Sequence, residues 1–83
     1  MHLDIITPEG NCWSGETSGV RVPGTKGSFE VLHNHAPIIS TLTPGVIQVR
    51  KESGETLVFR ISGGVIEVSH NRLALLTETA EPA

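Results

Sequence analysis

The chain has 83 residues, 9 glycines, 5 prolines and a net charge of −3 from 6 basic and 9 acidic side chains. That length holds one domain around one core. The acidic balance, scattered cations and only 4% aromatic residues exclude a basic, base-stacking surface for nucleic acid. Cys12 is the single cysteine, so no internal disulfide exists, which fits a reducing compartment. No apolar run reaches the roughly 18 residues of a membrane-spanning helix.

Apolar residues alternate along the chain. Met1 leads straight into the first strand pattern, with no signal peptide between. In His2 to Ile6, Leu3 and Ile5 share one side. Pro8-Glu9-Gly10 and Ser14-Gly15-Glu16 read as turns, followed by a strand with Val20 and Val22 opposite Arg21. Pro23-Gly24-Thr25-Lys26-Gly27 is a glycine-flanked loop. Thr43-Pro44-Gly45 fits a type II turn, with glycine at the position that needs positive φ. Ile47 and Val49 then oppose Gln48 and Arg50, and Glu52-Ser53-Gly54-Glu55 closes a hairpin onto Leu57, Phe59 and Ile61. Ser62-Gly63-Gly64 separates these from Ile66 and Val68, and His70-Asn71 precedes Leu73 and Leu75. Side chains of period two bury one face of a strand. The pattern predicts an all-β domain of about ten short strands in a two-sheet sandwich or flattened barrel. The sandwich is expected over residues 1–78. The stretch from Thr77 has no apolar pattern, so 79–83 reads as a flexible tail.

Several chemistries can be weighed on the residues. His33 and His35 would share a strand face and could serve as two metal ligands. A catalytic zinc site needs a third protein ligand, and nothing in the sequence places one. Asn34 and Pro37 favour a turn there instead. Ser62-Gly63-Gly64 follows a strand but precedes another, whereas a nucleophile elbow needs a helix. Gly24-Thr25-Lys26-Gly27 lacks the spacing of a phosphate-binding loop. Cys12, beside Trp13, reads as a partly buried apolar residue with no nearby cation to activate it. Residues Gly24 to Ile39 remain as a contact surface. Alternation allows one of Ile38 and Ile39 to face outward, or both to be covered.

Three motifs in order carry a resemblance. They are Asn34-His35-Ala36-Pro37-Ile38-Ile39, Leu42-Thr43-Pro44-Gly45-Val46-Ile47 and Ile61-Ser62-Gly63-Gly64-Val65-Ile66-Glu67-Val68, after an opening His2-Leu3-Asp4-Ile5-Ile6. With them the chain resembles, end to end, the amino-terminal β-sandwich domain of the epsilon subunit of bacterial F-type ATP synthases. The resemblance implies a non-catalytic rotor part at the foot of the central stalk. Its partners would be the gamma subunit and the c-ring, at the cytoplasmic face of the bacterial inner membrane. The membrane would be reached only through the ring. The c-ring loop corresponds to Gly24, Thr25, Lys26, Gly27 and Ser28, where some relatives have Glu at the position of Ser28. The junction of gamma and the ring corresponds to His35, Ala36, Pro37, Ile38 and Ser40. No cofactor or metal is implied. The two-helix domain that most relatives add, which can brake rotation and in some binds ATP, lies outside this chain, so no nucleotide is expected. The alternative from another class is a metal-dependent cupin-like enzyme using His33 and His35.

Overall fold

Alternation governs what the chain becomes. The computed structural model describes all residues, 1–83, and contains no helix. The strands are β1 (His2–Thr7), β2 (Gly10–Val22), β3 (Phe29–Leu32), β4 (Ile38–Leu42), β5 (Gly45–Lys51), β6 (Thr56–Ile61), β7 (Gly64–Ser69), β8 (Arg72–Leu76) and β9 (Ala80–Pro82). Hydrogen bonds link them in the order β4-β7-β8-β1-β2-β5-β6-β9, with β3 also on β2. Strand β2 serves twice. Its first half pairs with β1, and its second half pairs with β5 and β3. The path therefore folds over itself into two layers, a sandwich. One layer is β4, β7, β8, β1 and the start of β2; the other is β3, the end of β2, β5, β6 and β9.

The inward side chains alternate as expected. Leu3, Ile5, Leu73, Leu75, Ile66, Val68 and Leu42 come from one layer; Val20, Val22, Val31, Ile47, Val49, Phe59 and Ile61 come from the other. Trp13 and Phe29 pack on the margin of this core. The only parallel neighbours are β1 and β8; every other pair is antiparallel. Residues His70 and Asn71, both at positive φ (52° and 60°), make the two-residue connection from β7 to β8. That is the backbone of a type I′ hairpin, whose twist matches the strands it joins. Gly54 at φ 95° closes the β5–β6 loop.

Four expectations change. Ser14-Gly15-Glu16 lies inside β2, not in a turn. Gly15 is there because the Trp13 ring lies over it: an added Cβ would come within 2.7 Å of that ring. Gly45 is the first residue of β5 and has no positive φ, so no type II turn forms. A Cβ there would make ordinary contact with Pro23, at 3.4 Å. Cys12 is exposed, because β2 turns Trp13 inward at the next position. In place of a loose tail, Ala80–Pro82 form β9 on β6, and the Ala83 N–H donates to the Val58 carbonyl at 2.9 Å. Backbone pairing holds this end, helped by Ala80 against the core; neither leaves an apolar period in the sequence.

Gly64 is the tightest point. Its φ is +141°, and a Cβ would lie 2.0 Å from the Leu76 carbonyl oxygen. Gly64→Ala must therefore open the β7–β8 pair. We expect a loss of about 3–5 kcal/mol in urea unfolding, against about 1–2 kcal/mol for Gly10→Ala, where the added carbon meets nothing and only the positive φ of +123° opposes it.

Candidate functional site

The candidate residues gather at the two ends of β4, an edge strand. At its carboxy-terminal end the loop after β2 turns back on itself, with the Gly27 N–H donating to the Gly24 carbonyl at 3.0 Å. Gly27 takes φ +124°, and a side chain on Gly24 would strike the Gly27 carbonyl at 2.7 Å and Phe29 at 2.9 Å. This loop is fastened to β4. Gly24 bridges Leu42, the Thr25 N–H donates to the Thr41 carbonyl at 3.0 Å, and the Thr43 N–H donates to the Pro23 carbonyl at 2.8 Å. The Thr25 and Thr41 hydroxyls meet at 2.8 Å. Between loop and strand lies an open groove of about 550 Å³, lined by Gly24 to Phe29 and Ile39 to Thr41. The groove brings Ser40 beside all five loop residues.

His35, Ala36 and Pro37 sit at the other end of β4, roughly 13–16 Å away by strand rise. They follow a turn at His33-Asn34, where Asn34 takes φ 63° and the His35 N–H donates to the Leu32 carbonyl at 3.2 Å. Asn71 anchors that turn. Its Oδ1 accepts the Asn34 N–H at 2.7 Å, and its amide donates to Asn34 Oδ1 at 3.1 Å. Its own carbonyl accepts the His2 N–H at 3.0 Å. The sequence marked Asn71 only as a turn residue; a reciprocal amide pair 37 positions apart leaves no local pattern.

The two isoleucines resolve cleanly. Ile38 is half-buried against the core, while Ile39 points out with 73% of its surface exposed. Ile39 lines the groove with Phe29, Thr41, Ser40 and the loop, and Ile38 does not.

No ligand set forms at the histidines. His33 Nε2 lies 3.5 Å from Glu52, and His35 Nδ1 lies 2.8 Å from its neighbour's carbonyl oxygen, that of Ala36. Nowhere do three histidine, cysteine or carboxylate side chains converge as metal ligands. The cupin-like alternative has no geometry to rest on. The Ser62 hydroxyl accepts the Thr79 N–H at 3.2 Å and lies 3.4 Å from Thr77, so it ties down the chain before β9.

A family model described as the ATP synthase Delta/Epsilon chain, beta-sandwich domain, matches residues 1–83. The chain belongs to this family. It is 41% identical over 80 residues to ATP synthase epsilon chain 1 of Methylococcus capsulatus, covering 96% of this chain and 57% of that one. It is 38% identical over 91 residues to the ATP synthase epsilon chain of Salinibacter ruber, covering 100% of this chain and 61% of that one. It therefore spans about three-fifths of these relatives. Its fold matches a chain of the Euglena gracilis mitochondrial ATP synthase (OSCP/F1/c-ring) with TM-score 0.91 at 24% identity, covering 96% of this chain and 51% of that chain. A chain of the Tetrahymena thermophila central stalk/c-ring structure matches with TM-score 0.82 at 18% identity, covering 98% and 65%. The second pair shows the sandwich fold; the first pair and the family model carry the family.

One charged cluster flanks the Asn71 anchor. His2 lies between Glu16 at 2.9 Å and Asp4 at 3.1 Å. These hydrogen bonds, Glu16 first, raise the His2 pKa above its ordinary 6.5. Hydrogen bonds from Ser14 and Asn11 lower that of Asp4 below 3.8, and the bond to His2 lowers that of Glu16 below 4.5. The histidine contribution is complete below pH 6.5 and fades as pH rises through the raised value. The carboxylate contribution is present above pH 4.5 and fades as pH falls through the lowered values. Thermal stability should therefore be highest between pH 4.5 and 6.5 for this cluster. In His2→Gln the decline above neutral pH should shrink in melting curves recorded from pH 5 to 9, an arbitrary span set about the ordinary histidine value.

Proposed function

We propose that the chain is the sandwich portion of a non-catalytic rotor subunit of a proton-translocating ATP synthase, at the foot of the central stalk. In this reading it joins the gamma subunit to the c-ring and turns with them, while catalysis belongs to other subunits. It works at the cytoplasmic face of the bacterial inner membrane and reaches the bilayer only through the ring. Gly24, Thr25, Lys26, Gly27 and Ser28 face the c-ring. His35, Ala36, Pro37, Ile38 and Ser40 face the junction with gamma.

The family match along the whole chain carries this reading. The geometry supports it. A module that passes torque needs surfaces that do not yield, and both candidate segments are cross-braced. The loop is tied to β4 by two backbone bonds and a hydroxyl pair. The His35 turn is tied to the β7–β8 hairpin by Asn71. Two-sided capture also relaxes the demand on each contact, since a module held at one face meets the second at high effective concentration.

Mixing the chain with purified gamma and detergent-solubilised c-ring should give one co-eluting assembly, read by mass. His35→Ala should weaken it about tenfold, or about 1.4 kcal/mol, with an unchanged melting temperature. An unfolded His35→Ala protein would make His35 a structural residue. A chain that elutes free of both partners would end the rotor reading.

A further inference from the structure

His33 is a residue the sequence singles out and the rotor reading leaves unused. It is exposed in the turn after β3, and its Nε2 meets Glu52 Oε1 at 3.5 Å. Glu52, on the β5–β6 loop, reaches further. The same oxygen lies 3.8 Å from the Met1 α-ammonium, and Glu16 Oε1 lies 3.8 Å from it too. The ammonium is buried and donates to the Thr17 carbonyl at 3.1 Å. Glu16 Oε2 in turn holds His2, and His2 holds Asp4. The charged groups thus form an unbroken row: Asp4, His2, Glu16, ammonium, Glu52, His33. When both imidazoles are protonated, the sign alternates at every step. The row also joins the layers. Asp4, His2 and Glu16 belong to β1 and the first half of β2, while Glu52 and His33 sit on connections that leave β5 and β3. They meet beside the bulge of β2, where the Glu52 N–H donates to the Glu16 carbonyl at 3.4 Å. Among the neighbouring charges, Arg72 lies opposite His2 on β8, Lys51 is engaged by Glu55, and Arg50 is engaged by Glu30. The other two imidazoles are turned to their own neighbours, His35 to the Ala36 carbonyl and His70 to the Ser69 hydroxyl.

We propose that this row is a proton-operated strap between the two layers, closed while His2 and His33 are protonated and slackened when both are neutral. Histidine is the side chain whose charge changes near neutral pH. With both imidazoles charged, three carboxylates face three cations. With both neutral, the three carboxylates face the ammonium alone, and their mutual repulsion acts across β1, β2 and the β5–β6 loop. The direction agrees with His2, whose bonds to Glu16 and Asp4 raise its pKa. Its contribution is complete below pH 6.5 and is lost as pH rises through the raised value. The mechanical consequence falls on the His33-Asn34 turn, which has two holds. Asn71 holds Asn34, and Glu52 holds His33. Only the second depends on charge. Both members of that pair are exposed, so salt screens it and its strength is modest. The strap therefore tunes the order of the seam and the turn, and leaves the core alone. It stands apart from the rotor reading and requires no partner.

The test is residue-resolved amide exchange of the chain, corrected for the intrinsic effect of pH and recorded from about pH 5 to about pH 9, around the ordinary histidine value. The ring C–H resonances of His2 and His33 are followed in parallel. Two amides report: the Glu52 N–H, bonded to Glu16 across the seam, and the His35 N–H, bonded to Leu32 within the turn. Protection at both should fall by up to about fivefold as the imidazoles lose their protons, the range an exposed ion pair supports. Glu52→Gln should flatten the fall at both reporters. So should about 1 M salt, where the screening length is about 3 Å. His33→Gln should flatten it at His35 and leave part of it at Glu52, where the His2 limb still acts. Should Glu52→Gln not fold, His33→Gln and the salt series decide. Protection that stays level while both imidazoles titrate overturns the strap. So does a fall that survives unchanged in Glu52→Gln or in high salt, because its cause would not be this row of charges. A fall confined to the Glu52 amide overturns the part given to His33.

Discussion

Everything in this molecule hangs on β2 belonging to both layers. A strand of 13 residues must change partners midway, and it does so at a bulge between Thr17 and Gly19. One residue more than the partner strand bends the backbone and raises the local twist. That bend carries the chain from β1 to β5 and swings the second layer over the first. It also buries Thr17, whose hydroxyl and N–H both find the Met1 carbonyl, at 3.3 Å and 2.7 Å. An unsatisfied threonine at such a place would oppose folding. Gly19 completes the hinge by leaving room above the strand. Arg50 and Glu30 close a 3.1 Å ion pair there, and a side chain on Gly19 would crowd both.

From that hinge follow the positions of the candidate residues. The end of β2 delivers Pro23 and Gly24 to the last residue of β4, across the gap between the layers. The loop after it is therefore presented at a corner of the sandwich and fixed on both sides. The opposite end of β4 is reached by a different route, through β3 and the turn at His33-Asn34. Its anchor, Asn71, sits on the β7–β8 hairpin, next to β4 in the same layer. Two unrelated parts of the fold thus position one five-residue strand from its two ends. The strand in turn sets which side chains are offered: Ile38 inward, Ile39 outward, by alternation alone.

How much of this the sequence discloses depends on whether the cause is local. The inward sets of β1, β5, β6, β7 and β8 are legible because burial of one face imposes period two on side-chain type. The Gly54 loop and the His70-Asn71 connection are legible because positive φ selects a few residue types. Gly15 misleads, since a glycine required by an indole ring from the same strand looks like a glycine required by a turn. Gly45 also reads as a turn glycine, yet it opens β5 with no positive φ. Strand β9 is silent: its bonds to β6 are made by main chain, which every sequence shares. The loop residues 24–28 and the His35 turn stood out by composition and motif. Their separation to opposite ends of β4, and the exposure of Ile39 between them, are consequences of pairing that no short window contains.

An open sheet edge is a hazard, and the rest of this sandwich limits it. On β9 the edge is three residues long and includes Pro82, which has no N–H to offer. Against the flank of β4, Thr25 takes the Thr41 carbonyl, and Pro37 precedes the strand with no N–H of its own. What stays open on β4 is the backbone of Ile39 with one further N–H, a length too short to template indiscriminate pairing. An edge cut down to the backbone of one residue and a single further N–H limits self-association.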